Sequence, residues 1–345
     1  MKVTLKEIAT RVGVAESTVS RVLSKEPTLS ISDERRRAIL ETAEELNYVR
    51  PKRAPPARTK RKTETEVVVL CHALTADEEL SRPFYVGVRK GIEAAALERD
   101  VRILRADPSV PLAFRSGERA LGVIVIGVVP DDVLSTARAL DLPVVFADQP
   151  ARDPEAGDDS VVTDVDLAVG RALDLLKSQG CSRLACVDLV DVQTSASTVG
   201  RGRFFKPWSM DNGGFDADYL IIQSRDQING RQAISRMFEK LREQGKPLPD
   251  GLLATTDLVA AEAYQGIAAE GLSIPDDIRV VGMGDNSIAQ LLTPPLASVE
   301  IPAGDIGRTA FDLVIERSSG RRVAKTVTLH TTFVARESLG IGGTG

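Results

Sequence analysis

Val3-Thr4-Leu5-Lys6-Glu7-Ile8-Ala9 and, after a short interval through Gly13, Val14-Ala15-Glu16-Ser17-Thr18-Val19-Ser20-Arg21-Val22-Leu23 decide how the rest of the chain is read. Thr4 with Glu7 three residues on is a capping box, in which each side chain serves a backbone N–H that the first helical turn leaves over, so a helix is expected from Leu5. Leu5, Ile8, Ala9 and Val12 fall on one face of it. Ala9 is small enough for a close helix crossing, and Gly13 allows a turn through positive φ. A second helix is expected from about Glu16, burying Val19, Val22 and Leu23 and presenting Ser17, Thr18, Ser20 and Arg21. Short polar groups with one cation suit a helix laid in a DNA major groove. A plain three-helix packing domain with a solvated face is the alternative reading of this stretch alone.

Working outward, Ser32 can cap a third helix through Asp33-Glu34-Arg35-Arg36, whose first-turn acids suit the helix dipole. Ile39, Leu40, Ala43 and Leu46 form its expected core stripe, and Tyr48 closes it. Thr-Leu-Lys-Glu-Ile-Ala, Val-Gly-Val, Ser-Thr-Val-Ser-Arg-Val-Leu and Leu46-Asn47-Tyr48 together resemble the lactose/galactose repressor (LacI/GalR) family of bacterial transcription factors almost residue for residue. The resemblance implies that Glu16 and Ser17 occupy the two main base-reading positions. It places Thr18, Ser20 and Arg21 at phosphate- and base-contacting ones, with Thr4, Ser32, Tyr48 and Arg53 completing the DNA-binding set. Ala15 stands where the family has a serine cap, a change worth on the order of 1 kcal/mol. A carboxylate at position 16 can accept from cytosine N4 but repels phosphate, so it should select sequence more than it adds affinity.

Charge is distributed to match. The net charge of the 345 residues is -5, yet residues 1–62 carry about +7 and the remainder about -12, as expected of a DNA-binding head on an acidic body. Three cysteines make no even disulfide framework, no apolar run reaches the length of a membrane span, and the start does not resemble a signal peptide. A cytoplasmic protein with no membrane contact is expected. His72 and His330 are the two histidines, far apart, and support no metal site. No cofactor is expected either: the dinucleotide fingerprint, the Walker A motif, G-x-S-x-G and H-E-x-x-H are all absent.

Between head and body, Arg50, Lys52, Arg53, Arg58, Lys60, Arg61 and Lys62 surround Pro55-Pro56. The family places a hinge helix here, with a leucine that enters the minor groove. This chain has no leucine between Leu46 and Leu70, and the proline pair breaks a helix. An extended, solvated, basic spacer is the expectation.

From Val67 short apolar runs alternate with helical patterns, the signature of parallel α/β units. Strands are expected at Val67–Cys71, Val101–Leu104, Val123–Ile126 and Val144–Phe146, then Leu184–Val187, Tyr219–Ile222, Leu252–Ala254 and Arg279–Val281. Helices are expected near Phe84 to Glu98, Asp131 to Leu140, Leu167 to Gln179, Gly230 to Glu243 and Leu258 to Glu270. The expected architecture is an all-α helix-turn-helix head (1–49), the linker (50–65), and a core (66–345) of two doubly wound parallel-sheet lobes. Ser81-Arg82-Pro83-Phe84-Tyr85, Thr256-Asp257 and the run from Ile274 to Val299 extend the resemblance over nearly the whole chain. It implies a periplasmic-binding-protein-like core whose first lobe takes 66–160 and 290–320 and whose second takes 161–289 and 321–340.

The same resemblance assigns effector contacts. Arg201, followed by Phe204-Phe205, matches the family's sugar-binding arginine, and its fork suits vicinal hydroxyls or a carboxylate; a plain surface arginine is the other reading. Thr256 replaces an asparagine, Asp285 follows a glycine that replaces a contacting aspartate, and Arg225 replaces an aromatic that stacks on the ligand. Phe84 and Asp164 complete the set, with Trp208 the other candidate for an aromatic face. The implied function is transcriptional repression of carbohydrate-utilisation genes, by a homodimer bound to double-stranded operator DNA and controlled by a small sugar-like effector. The tail after Ser338 has no heptads, so a dimer is expected over a tetramer. The alternative is a sugar-binding protein or enzyme of the same core whose basic head has another role.

Overall fold

The computed structural model describes residues 4–24, 31–46, 48, 64–72, 74, 79, 82–106, 112–127, 129, 131–151, 157–190 and 200–340. The linker expectations, Arg53 and the proline pair included, and most of the loop before the third helix lie outside these residues. The chain forms two compact units, Met1–Thr63 and Glu64–Gly345.

In the first unit, α1 (Leu5–Val12) starts at the expected capping box. The Glu7 N–H donates to Thr4 Oγ1 at 3.4 Å while the Thr4 N–H donates to the Glu7 carboxylate at 2.9 Å. It stops at Gly13, whose φ of 69° is a left-handed cap. Helix α2 (Glu16–Leu23) begins at Ala15 with no side-chain cap, and α3 (Asp33–Glu45) begins at Ser32, whose hydroxyl accepts from the Arg35 N–H. Ile8, Ala9, Val19, Val22, Ile39 and Ala43 are buried together. Each larger one contributes about 1.5–3 kcal/mol by leaving water. Leu40 departs from its expected place in the stripe and is 48% exposed. A step of one residue turns about 100° round the helix, so Leu40 flanks the line Ile39–Ala43–Leu46 instead of joining it.

The second unit holds two six-stranded sheets. The first contains β1 (Thr65–His72), β2 (Arg102–Ala106), β3 (Glu118–Ile126), β4 (Val144–Ala147), β5 (Asp159–Thr163) and β11 (Thr326–Leu329), in the order β11-β5-β4-β3-β1-β2, all parallel. The second contains β6 (Leu184–Val190), β7 (Leu220–Ser224), β8 (Gly251–Ala254), β9 (Arg279–Gly284), β10 (Ala297–Glu300) and β12 (Thr332–Val334), in the order β12-β10-β9-β8-β6-β7, with only edge strand β12 antiparallel. Val67 to Leu70 have no exposed surface, because helices cover both faces of a parallel sheet and an unbroken apolar run is what such a strand needs. On one face of the first sheet lie α4 (Pro83–Glu98) and α11 (Ala303–Ser318), and on the other α5 (Asp131–Arg138). Helix α4 meets α11 backbone to backbone. A Cβ on Gly91 would stand 2.0 Å from the Gly304 carbonyl oxygen, and one on Gly307 equally close to that of Val88, so only glycine permits the contact. The second sheet is packed by α6 (Val165–Ser178), α7 (Phe205–Asp211), α8 (Gly230–Glu243), α9 (Asp257–Ala269) and the short α10 (Ser287–Leu291).

The eight expected strands and five expected helices are all present, most with ends shifted by three residues or fewer, while β3 starts five residues before the expected Val123. The points where the chain changes lobe differ from expectation. Strand β5 keeps the chain in the first sheet to Thr163. Ala297–Glu300, expected in the first lobe, is β10 of the second sheet, and Thr326–Leu329, expected in the second, is β11 of the first. The crossings therefore follow Thr163, Glu300 and Leu329. The reason is local pairing: β10 runs beside β9, where the buried Ser298 hydroxyl reaches Asp257, and β11 runs beside β5.

Candidate nucleic-acid face and ligand cleft

Helix α2 turns Glu16, Ser17 and Arg21 outward, with Thr18 and Ser20 half-buried beside them, while Val19 and Val22 face the head's core. Five of the residues expected to meet DNA thus share one helix surface. No side chain caps the N-terminus of α2, and the Thr18 N–H there donates to the Ala15 carbonyl at 2.9 Å. Thr4 and Ser32 spend their hydroxyls as helix caps and are exposed, so their role includes fixing the helices they start. Tyr48 is half-buried against the head's core.

In the core unit, open parallel sheets present ligand sites at the carboxyl ends of their strands. Arg201 follows β6 in a short 3-10 turn (Arg201–Phe204), and its Nη1 donates to the Thr255 carbonyl at 3.0 Å. What holds this turn is Asp188, inside β6 and buried. Its Oδ2 accepts from the Gly202 N–H at 2.7 Å, and its Oδ1 accepts from the Thr255 hydroxyl. A Cβ on Gly200 would stand 2.0 Å from that carboxylate and one on Gly202 2.8 Å from the Asp188 Cβ. Two glycines are therefore what let the backbone wrap the carboxylate and aim Arg201. Sequence reasoning missed Asp188; its signal was an acid within the apolar run Ala185 to Val190.

The other expected contacts are already engaged. Arg225, just past β7, is ion-paired with Glu262 at 2.5 Å, and Glu262 also accepts from the Gly230 N–H at 2.7 Å. Thr256 caps α9 through the Val259 N–H. Asp257 is fully buried and accepts from the Ser298 hydroxyl and the Asn286 N–H, both at 2.6 Å, and burial pushes its carboxyl up. Asp285 sits at φ 47° and is paired with Arg336 at 2.6 Å. Asp164 caps α6 through the Leu167 N–H at 3.1 Å. On the first lobe Phe84 is half-buried and meets the Tyr85 ring edge-on at 5.3 Å. Trp208 gives its indole N–H to Asp174 at 2.8 Å and packs in the second lobe's core with α6, which accounts for it without a ligand.

Asp148, in the left-handed turn after β4 (φ 67°), is the first-lobe acid that feels Arg201. Burial pushes its carboxyl up to about 6, and the Arg201 charge opposes that rise. An acid on one lobe thus feels a guanidinium on the other. Among the described residues no group of acids, cysteines and histidines could hold a metal ion, and no helix is long and apolar enough to cross a membrane. Cys71, Cys181 and Cys186 are buried free thiols.

Comparison with known proteins agrees on both units. Residues 4–51 match the family described as bacterial regulatory proteins, lacI family, and residues 173–339 match the periplasmic binding protein-like domain. The HTH-type transcriptional regulator GalR of Streptococcus thermophilus is 30% identical over 339 residues, covering 97% of this chain and 99% of the relative. The HTH-type transcriptional repressor MelR of Bacillus subtilis (strain 168) is 27% identical, covering 98% of each. Among solved structures, the transcriptional regulator CelR in complex with cellobiose shares the fold, with a TM-score of 0.66 at 24% identity over 97% of this chain and 99% of the other.

Proposed function

The chain belongs to the lacI family of bacterial regulatory proteins, transcriptional regulators and not enzymes, and on that premise we propose a repressor that works as a homodimer in the cytoplasm. Its two heads read a pseudo-palindromic operator in double-stranded DNA, and a small sugar-like effector bound between the lobes controls them. The observation that carries this reading is the exposed α2 surface of Glu16, Ser17 and Arg21, on a helix whose start no side chain caps. Base edges are read by Glu16, Ser17 and Arg21, and the backbone is positioned by Thr4, Thr18, Ser20, Ser32, Tyr48 and Arg53. In the core, Arg201 supplies a fork for vicinal hydroxyls, with Phe84 opposite. Asp164, Arg225, Thr256 and Asp285 shape the walls through the bonds described above.

Effector binding that favours one spacing of the lobes couples to the heads with about 1–3 kcal/mol. The basic linker adds salt-dependent affinity with little sequence preference, since cations beside phosphates act through counterion release.

The test is a gel-shift titration of the purified full chain on the inverted repeats upstream of its own gene and on random DNA, with and without sugars. Arg21→Ala should weaken specific binding by about 1–3 kcal/mol and leave random DNA nearly unchanged. Equal losses on both would reject base reading. A protein that binds sugars but shifts no inverted repeat would support the alternative, a sugar-binding protein with a non-regulatory head.

A further inference from the structure

Residues 326–334, Thr-Val-Thr-Leu-His-Thr-Thr-Phe-Val, carry β11, the crossing at His330 and Thr331, and β12. Strand β11 is an outer strand of the first sheet and β12 an outer strand of the second, so one stretch of chain forms an open edge on both lobes. Each has a strand partner on one side only, β5 for β11 and β10 for β12. An extended stretch of this length spans about 30 Å. Thr326, Thr328, His330, Thr332 and Phe333 are exposed along it, Phe333 by 37%.

An edge strand offers unpaired N–H and C=O groups to any other strand, and folds that keep such an edge single place charges, prolines or bulges on it. The other two outer strands are guarded by charge. Strand β2 carries Arg102, paired with Glu118 at 2.7 Å, and the exposed Arg105. Strand β7 is flanked by ion pairs, Asp218 with Lys240 at 2.6 Å before it and Arg225 with Glu262 at 2.5 Å after it. The edge at 326–334 has no such guard. It contains no Asp, Glu, Lys, Arg, Gly or Pro, and six of its nine residues are β-branched, the composition that favours strand pairing.

What fits against this edge is the edge itself. Two copies set antiparallel about His330 bring Val327 opposite Phe333 and Thr328 opposite Thr332, each pair occurring twice. A β-branched residue against an aromatic ring, and threonine against threonine, are favourable cross-strand pairs. The charges beyond the strands fix the direction. Arg322 and Glu337 are exposed and have no ion-pair partner among the described residues, so each copy brings a free cation before the edge and a free acid after it. Antiparallel pairing sets the start of one copy against the end of the other, with Glu337 diagonal to the partner's Lys325. Parallel pairing would set like charges together.

We propose that residues 326–334 are a self-association edge, at which two copies of this chain pair antiparallel and join the first sheet of each to the second sheet of the other. This contact stands beside the one that makes the operator-reading dimer and links one such dimer to another. A strand-to-strand contact is far smaller than a permanent interface, so the step is weak and depends on concentration. Because the edge runs through the crossing from β11 to β12, its pairing grips both lobes of each copy and ties the lobe spacing of one to that of the other.

The experiment is sedimentation equilibrium of the full chain over a wide range of concentration, with wild type and with Thr328→Glu, Thr332→Lys and the two changes together. The expected result is a wild-type mass that rises past the dimer as concentration increases. Thr328→Glu sets an acid against the partner copy's Thr332, which is bonded to Glu300 at 2.6 Å, and Thr332→Lys puts a guarding lysine on the edge. Each alone should weaken the step at least tenfold. The double variant sets Glu opposite Lys twice and should regain it, and a mixture of the two single variants should associate more tightly than either by itself. All three should melt within a few degrees of wild type and shift the inverted repeat as wild type does, since the changes lie on exposed positions outside the head. A mass that never rises past the dimer overturns the proposal and leaves the operator-reading dimer standing. Single variants that associate like wild type overturn it as well, as does a double variant no tighter than the singles. A peptide copying residues 322–337 that binds a wild-type chain of unchanging mass overturns the second copy as occupant and assigns the edge to a strand of another protein.

Discussion

The two lobes have the same architecture and opposite polar bookkeeping at their strand ends. In the second lobe Asp188, Asp257, Asp285, Arg201 and Arg225 each have a named partner across the fold. In the first, both His72 ring nitrogens and the Gln149 Oε1 are buried with none. One wall of the cleft has its polar groups tied to one another by the fold, whereas the other keeps buried polar atoms without such ties. A side chain already held, as Arg201 is by the Thr255 carbonyl, would lose little further freedom on meeting a ligand.

Three measurements test this contrast. The largest effect should come from Asp188→Ala, which strips the Gly202 N–H and the Thr255 hydroxyl of their acceptor and opens space behind Arg201. A loss of about 2–4 kcal/mol in urea unfolding is expected. A loss below half a kcal/mol would mean that the second lobe is not held by this carboxylate. Next comes Glu262→Ala, which leaves the buried Gly230 N–H unpaired and should destabilise by about 1–2 kcal/mol, whereas Arg225→Ala, removing the more exposed partner, should cost about 1 kcal/mol or less. Equal costs for the two would show that the ion pair, not the amide bond, is what matters there.

The smallest effect belongs to the first lobe. Folding raises the Asp148 carboxyl from 3.8 to about 6, so folding disfavours its ionised form. Below the unfolded value both states are protonated and the residue carries no penalty. As pH rises through that window stability falls, and it stays lowered above it. Asp148→Asn cannot ionise and tolerates positive φ, so it should melt with wild type at low pH and a few degrees above it at neutral pH. A neutral-pH melting point below that of wild type would show instead that the Arg201 attraction outweighs burial.

Much of this was legible along the chain because its causes are local. Thr4 and Glu7 are one turn apart, and the cap they predict is the cap that forms. Gly230 to Glu243 reads as a helix from its own periodicity and has those limits in the structure. Family resemblance added Arg201, which does stand at a strand end. Other features depended on partners distant in sequence. Leu40 looked like core until the exact angle of α3 against its neighbours mattered. Asp285 and Arg225 looked available until Arg336 and Glu262, 51 and 37 residues away, were seen to hold them.

From the residues alone came a helix-turn-helix head, a doubly wound two-lobed core, the absence of enzyme motifs and the polar face of α2, because helix caps, periodicity and apolar runs act over a few residues. Tertiary structure alone decided where the chain crosses between lobes, since β10 and β11 are too short to choose a sheet until β9 and β5 offer an edge. It also decided which polar groups are paired. A hydrogen bond needs its two atoms within about 3 Å, and only the folded sheets bring Asp188 to Gly202 and Thr255 while leaving His72 with no such neighbour.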